Sequence, residues 1–140
     1  MQKVVIDTNV IVLSLIQKSF PYKIMYELFI EGKINLCVSE ALIMEYYDVL
    51  RRPKFAVYYD FVARAESLLS DIEAKASMYM PLISIDMISN KDDNKILELA
   101  DISTTDYIIT GNSNDFTFSS YKNTRIVNPK DFWWLFQCEA

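Results

Sequence analysis

Residues 4–10 read VVIDTNV: a short apolar run ends in an aspartate and is followed at once by more apolar residues. The β-branched residues before Asp7 predict a buried strand, and the apolar pattern after it predicts a helix to about Gln17. Burying a carboxylate costs free energy unless its charge is compensated. We therefore expect Asp7 either to face a polar crevice or to cap the following helix, a common use of Asp.

The rest of the chain alternates in the same way. Strand-like runs recur at residues 34–38, 107–110 and 125–127. Helical patterns separate them, at about residues 22–31, 40–51, 56–79 and from the polar segment 89–94 to residue 100. Gly32 is expected to end the first of these helices, and Ser39 to be the N-cap of the second. Strands separated by helices favour right-handed crossovers and a parallel sheet with helices on both faces. The sequence therefore predicts an α/β fold in one domain, residues 1–140, which is a common domain size.

Composition excludes several kinds of site and location. The chain has no histidine, which removes His-based triads and most zinc sites. A net charge of −5 argues against a broad basic surface for duplex nucleic acid, although an acidic site that collects divalent cations can still attract phosphate. The sequence shows neither an apolar stretch of membrane-spanning length nor a signal peptide, so the expected location is cytoplasmic, without membrane association.

Four acidic residues are predicted to meet at one edge of the sheet. Ligand sites of parallel α/β sheets lie beyond the carboxyl ends of the strands. Asp7 ends the first strand, and Asp115 follows the strand predicted at residues 107–110 by a short turn. Glu45 lies at the border of the apolar arc of its helix, and Asp93 lies in the first turn of a later helix.

Each acid also has an ordinary explanation when taken alone. Asp7 could be a helix cap, Glu45 a solvent-facing residue, Asp93 a first-turn acid and Asp115 part of a turn. Together, carboxylates without Arg or Lys partners in these motifs would repel one another unless a cation neutralised them. Oxygen ligands without His or Cys select Mg²⁺ or Mn²⁺ over zinc or copper.

Five segments carry a resemblance to a known family. They are VVIDTNV, SEALIMEYYDVLRRPKF, KDDNKILELA, TTDYIITGNSNDF and RIVNPKDF, which follow one another over nearly the whole chain. In this order they resemble the PIN domain, and most closely the PIN-family toxins of toxin–antitoxin systems. The resemblance implies a three-layer α/β/α sandwich around a central parallel sheet of four or five strands. It also implies a metal-dependent ribonuclease similar to VapC-type toxins.

The resemblance also assigns roles to individual residues. Asp7, Asp93 and Asp115 would hold one or two Mg²⁺ or Mn²⁺ ions, and Glu45 would complete the cluster or orient a water molecule. The polar residues expected to position ligands and phosphate are Thr8, Asn9, Thr110 and Asn112. Many relatives have an acid where this chain has Asn112. Asp115 is expected to substitute for it.

Partners follow in part from residues and in part from the resemblance. The candidate RNA-binding residues are Arg51, Arg52 and Lys54 at the end of the Glu45 helix, together with Lys91 and Lys95, which flank Asp93. Basic residues near a helix end can instead complement its dipole. The aromatic cluster at residues 132–136 is expected to pack as a last helix or to form an interface. Related toxins imply an antitoxin protein and a homodimer as partners.

Two other functions stay open at this point. The first is a catalytically weak or inactive PIN-like domain that binds RNA or a partner protein, which the amide at Asn112 favours. The second is an aspartate-based phosphatase in which Asp7 is the nucleophile. Such sites usually have a second acid two residues later, where this chain has Asn9, so the residues favour the nuclease.

Overall fold

A computed structural model describes residues 1–86, 91–111 and 119–139, and for residues 91 and 92 only the backbone. Its strands and α-helices follow in chain order. They are β1 (Gln2–Ile6), α1 (Thr8–Ile16), α2 (Phe20–Lys23), β2 (Ile34–Val38), α3 (Glu40–Leu50), α4 (Phe61–Lys75), β3 (Ser77–Met78), α5 (Lys91–Ser103), β4 (Tyr107–Ile109), β5 (Ser120–Tyr121), β6 (Thr124–Val127) and α6 (Pro129–Glu139). A π-helical segment, Ile24–Phe29, continues α2, and a 3₁₀ helix, Pro53–Val57, precedes α4. Within the described residues, every helix is too short or too polar to cross a membrane.

The strands form one sheet in which β1 is central. The strand order is β3-β2-β1-β4-β6-β5, and every pairing is parallel except that of β5 with β6. Successive residues of a strand point to opposite faces of the sheet. Val4, Val5 and Ile6 are all fully buried, so both faces of β1 are covered. The predicted three-layer α/β/α fold with a mostly parallel sheet is therefore confirmed.

Within the described residues the sheet has six strands rather than four or five, because two short strands extend its edges. β3 and β5 contain two residues each, too few to produce a recognisable period in the sequence. The long helix predicted at residues 56–79 was wrong at both ends. Asp60 adopts a left-handed conformation, with φ of 56°, which separates the 3₁₀ helix from α4, and extended backbone at Ala76 ends α4 before β3.

Two contacts fix α3 against the sheet. Ser39 is its N-cap, as predicted, and the Ser39 hydroxyl accepts a hydrogen bond of 3.2 Å from the backbone N–H of Leu42. Tyr46 is fully buried, and its hydroxyl donates a hydrogen bond to the carbonyl of Ile6 in β1. This second contact holds α3 directly behind the carboxyl end of the central strand.

The C-terminal aromatic cluster forms part of α6, and only some of its residues are buried. Phe132 is 1% exposed and its ring lies 5.3 Å from that of Tyr107, edge to face. Trp134 is 54% exposed and meets Phe20 at its edge. The interpretation that part of this cluster packs back onto the domain is therefore confirmed.

Removing the Tyr46 hydroxyl should destabilise the fold without changing its compactness. Tyr46→Phe deletes a buried hydrogen bond, so we expect the free energy of unfolding to fall by about 1–2 kcal/mol. Urea denaturation with an unchanged slope measures the loss. Tyr59→Phe is the matched control, because Tyr59 is 94% exposed, and it should leave stability unaltered. Equal stability of the two variants would contradict the assigned contact.

Candidate active site

Asp7 lies at the carboxyl edge of the sheet, between β1 and α1. Its backbone N–H donates to the carbonyl of Ile109 over 2.9 Å, which continues the pairing of β1 with β4. The Asp7 side chain is only 5% exposed and accepts a 2.8 Å hydrogen bond from the hydroxyl of Thr110. Its carboxylate makes no side-chain capping hydrogen bond of ordinary geometry to α1, although the backbone N–H groups of Thr8 and Asn9 lie close enough to stabilise its charge. Asp7 therefore occupies the N-cap position without acting as a cap, and its carboxylate faces the edge of the sheet.

Burial raises the pKa of Asp7 above its ordinary value of 3.8. The Thr110 hydrogen bond opposes this shift, the nearby negative charge of Glu45 adds to it, and the backbone N–H groups of Thr8 and Asn9 oppose it again. None of the ion pairs within the described part of the chain includes Asp7. Within the described residues, the charge of this nearly buried carboxylate is therefore stabilised by a hydroxyl and by backbone N–H groups, and not by a cationic side chain.

Glu45 has a different environment from Asp7. The hydroxyl of Thr8 donates to one of its carboxylate oxygens, and Lys95 Nζ lies 2.5 Å from the other. Both side chains of this ion pair are largely buried, with 20% of Lys95 and 23% of Glu45 exposed. The expectation that the acids lack a Lys or Arg partner was therefore wrong for Glu45. The helices α3 and α5 pack together and bring Lys95 to it.

Asp93 is the third residue of α5 and is 8% exposed. Because α5 precedes β4 and runs back along the sheet, its first turn lies at the same edge as Asp7. The Lys95–Glu45 pair ties this turn to α3. The described residues nevertheless contain no group of three or more acidic or cysteine side chains close enough to hold a metal ion. Asp115 and Asn112 lie outside the described residues.

The predicted RNA-binding residues lie in two regions, the C-terminal end of α3 and the first turns of α5. Arg51 forms two hydrogen bonds to Glu66 at 2.8 and 3.0 Å, and Arg52 pairs with Asp48 at 3.1 Å. These arginines and the exposed Lys54 follow the end of α3 that is remote from its N-cap. Lys91 begins α5, beside the candidate site. The exposed Asn9 stands next to the site in α1.

Sequence reasoning missed Tyr46, which lies under the acids. Burial raises its pKa well above the ordinary value, and the negative charges of Asp7 and Glu45 raise it further. The hydroxyl therefore keeps its proton and remains a donor to Ile6. Its spacing of four residues from Leu42 places both side chains on one face of α3. The sequence carries no signal for its hydrogen-bond partner, the carbonyl of Ile6 in β1.

An apolar groove adjoins the acids. It has a volume of about 810 Å³, and Lys95 forms part of its wall. Three methionines that line it are largely exposed: Met44 (62%), Met78 (58%) and Met80 (80%). The groove therefore presents apolar surface directly beside the Glu45–Lys95 pair.

Comparison with known families identifies the chain. The family described as the PIN domain matches residues 3–114, which include Asp7, Glu45 and Asp93 and end one residue before Asp115. The chain belongs to the PIN domain family. A search of curated proteins returned no match. PIN domains are generally nucleases, which are hydrolases, and they typically use divalent metal ions. The predicted family is thus confirmed.

The residues of this PIN domain fit a hard divalent cation. Asp7 and Asp93 supply carboxylate oxygens, the ligands that Mg²⁺ and Mn²⁺ prefer, and both side chains are nearly buried. A cation would offset the cost of keeping Asp7 ionised away from water. Glu45 already has the Thr8 hydroxyl and the Lys95 ammonium on its two oxygens, so it is less suited to be a ligand.

We predict that Asp7→Asn stabilises the protein at neutral pH in the absence of divalent ions. Folding raises the pKa of Asp7, so ionisation costs stability; the cost is absent below the unfolded pKa near 3.8 and complete above the folded pKa. The melting temperature of the variant should exceed that of the wild type by a few degrees at pH 7. The gap should close as the pH falls through the folded pKa.

Asp60→Asn is the matched control, since Asp60 is exposed and Asn tolerates its left-handed backbone. It should leave the melting temperature unchanged across the same pH range. A variant at Asp7 that melts below the wild type at pH 7 would contradict the assignment of an uncompensated buried charge.

Proposed function

We propose that this PIN domain is a metal-dependent endoribonuclease that hydrolyses RNA phosphodiester bonds. The observation that carries the proposal is the nearly buried Asp7 carboxylate, without an ion-pair partner in the described residues, at the strand edge of a chain from a nuclease family. A buried acid of this kind costs stability. Its presence is best explained by a cation and the chemistry that the cation supports.

The proposed ligands of Mg²⁺ or Mn²⁺ are Asp7 and Asp93, with Asp115 as a third. When bound, such an ion lowers the pKa of water and offsets the negative charge that develops on a phosphodiester during hydrolysis. Thr110 orients the Asp7 carboxylate through its 2.8 Å hydrogen bond. Glu45 is held by Thr8 and Lys95, and its remaining lone pairs can accept a hydrogen bond from the attacking water.

Substrate contacts are proposed to come from basic and polar residues near the acids. Lys91, Lys95 and the exposed Asn9 stand beside the candidate site, and Asn112 is proposed to position the phosphate. Arg51, Arg52 and Lys54, at the far end of α3, could contact only a more distant part of a longer RNA. The acidic net charge suits a short substrate contact rather than a broad basic one.

Cleavage of RNA tests the proposal. Purified protein is incubated with single-stranded and structured RNA, and with single-stranded DNA, in Mg²⁺, Mn²⁺ or EDTA. We expect metal-dependent cutting of RNA, reduced by about 100-fold or more in Asp7→Asn, Asp93→Asn and Asp115→Asn, since even residues that only support metal ligands cost 10- to 100-fold. Asp60→Asn, which carries the same change at the exposed residue that precedes α4, should cut at the wild-type rate.

A second candidate function is a PIN-like domain that binds RNA without cutting it. It is favoured by the Lys95–Glu45 pair and by the absence of a three-acid group within the described residues. Folded wild-type protein that binds RNA in a gel-shift assay but cuts no substrate with either ion would support this function and contradict the nuclease. Preferential cutting of DNA would contradict the RNA substrate alone, and a trapped aspartyl-phosphate on Asp7 would indicate the phosphatase.

We further propose that the enzyme is the toxin of a toxin–antitoxin pair, acts in the cytoplasm and forms a homodimer. The resemblance to PIN-family toxins supports the antitoxin, and the exposed methionines of the groove offer apolar surface for a partner protein. Induced expression should arrest growth, and Asp7→Asn should not. Co-expression of the antitoxin, expected in the reading frame immediately upstream, should restore growth. Light scattering tests the homodimer and should give twice the monomer mass for the purified protein. Normal growth under wild-type expression would contradict the toxin role.

A further inference from the structure

The Lys95–Glu45 ion pair lies close to Asp7, at the carboxyl edge of the sheet. Glu45 is close enough to Asp7 to raise its pKa, and Thr8, the residue after Asp7, donates a hydrogen bond to Glu45. Lys95 Nζ lies 2.5 Å from the opposite carboxylate oxygen of Glu45. One lysine ammonium is therefore built into the acidic edge of the sheet, two residues after Asp93.

Partial burial makes the electrostatic attraction within this ion pair stronger than in a pair on the surface. Less than a quarter of either side chain is exposed, so water and salt screen their attraction weakly. The ammonium neutralises Glu45 in the same way as a metal ion would, and it repels any dication that approaches the same oxygens. By contrast, none of the ion pairs in the described residues neutralises Asp7.

We propose that Lys95 takes the place of a second metal ion, so that this PIN domain binds one divalent ion, through Asp7 and Asp93. Glu45 is then a positioning residue held by Lys95 rather than a metal ligand. This inference rests on the proposed metal-dependent function, and it specifies how many ions that function uses.

Direct measurement of metal binding tests the inference without reference to activity. Mn²⁺ is titrated into the full chain, with calorimetry and electron paramagnetic resonance of free Mn²⁺ as readouts of stoichiometry. We expect one Mn²⁺ per wild-type chain and a second Mn²⁺ in Lys95→Gln, because the unpaired Glu45 can then serve as a ligand. Lys95→Arg keeps the positive charge and should bind one ion.

Two further variants separate a local effect from a general change of charge. Lys33→Gln removes a charge from an exposed lysine at the opposite edge of the sheet, before β2, and should bind one ion. Glu45→Gln should bind one ion with an affinity within about threefold of the wild type, whereas Asp7→Asn should lose at least tenfold. Circular dichroism confirms that each variant is folded.

Two ions in the wild type would overturn the inference. One ion in Lys95→Gln, or a loss of affinity in Glu45→Gln equal to that in Asp7→Asn, would also overturn it. Each of these results leaves a metal site at the strand edge intact. Absence of Mn²⁺ binding to folded wild-type protein would instead contradict the proposed metal-dependent function, and with it the inference.

Discussion

The buried carboxylate of Asp7 is the constraint on which the candidate site depends. The fold removes this carboxylate from water at the end of its central strand and gives it a hydroxyl from Thr110 and nearby backbone N–H groups. Hydrogen bonds from neutral donors stabilise an ionised carboxylate only in part when a second acid, Glu45, is close by. The backbone pairing of Asp7 with Ile109 nevertheless fixes the carboxylate in this position. Keeping this negative charge at the edge of the sheet therefore lowers the stability of the fold.

The charges of the two acids at this edge, Asp7 and Glu45, are compensated differently. Glu45 is neutralised by Lys95 and fixed by Thr8, while Asp7 has dipoles but no ion-pair partner in the described residues. In the proposed function the two side chains therefore have separate roles: Asp7 binds the cation, and Glu45 holds its position whether or not a cation is bound. Tyr46 supports both, since its buried hydroxyl joins α3, which carries Glu45, to the end of β1, directly before Asp7.

Local signals predicted much of this structure. Alternation of apolar runs located β1 and β2, and the spacing of Ser39 before an apolar helix predicted the cap that Leu42 completes. Gly32 was predicted to end the helical stretch, and its φ of 73° explains why a glycine is there. Asp7 was recognised because a charge in an apolar run is costly in any fold.

Contacts between distant residues could not be predicted in the same way. Lys95 and Glu45 are 50 positions apart, and only the packing of α5 on α3 brings them together. The two-residue strands β3 and β5 depend on their neighbours in the sheet for pairing partners and have no periodicity of their own. The turn at Asp60 depends on one left-handed residue in an otherwise helical pattern. In each case tertiary structure decided what the local sequence left open.

A crystal structure of the protein soaked in Mn²⁺, with anomalous scattering used to locate the metal, would show directly whether Asp7 binds a cation. We expect an anomalous peak bound by the carboxylates of both Asp7 and Asp93, with Lys95 still paired to Glu45. A map without a peak at Asp7, or with manganese bound only elsewhere on the surface, would contradict the claim that this buried carboxylate is kept for a cation.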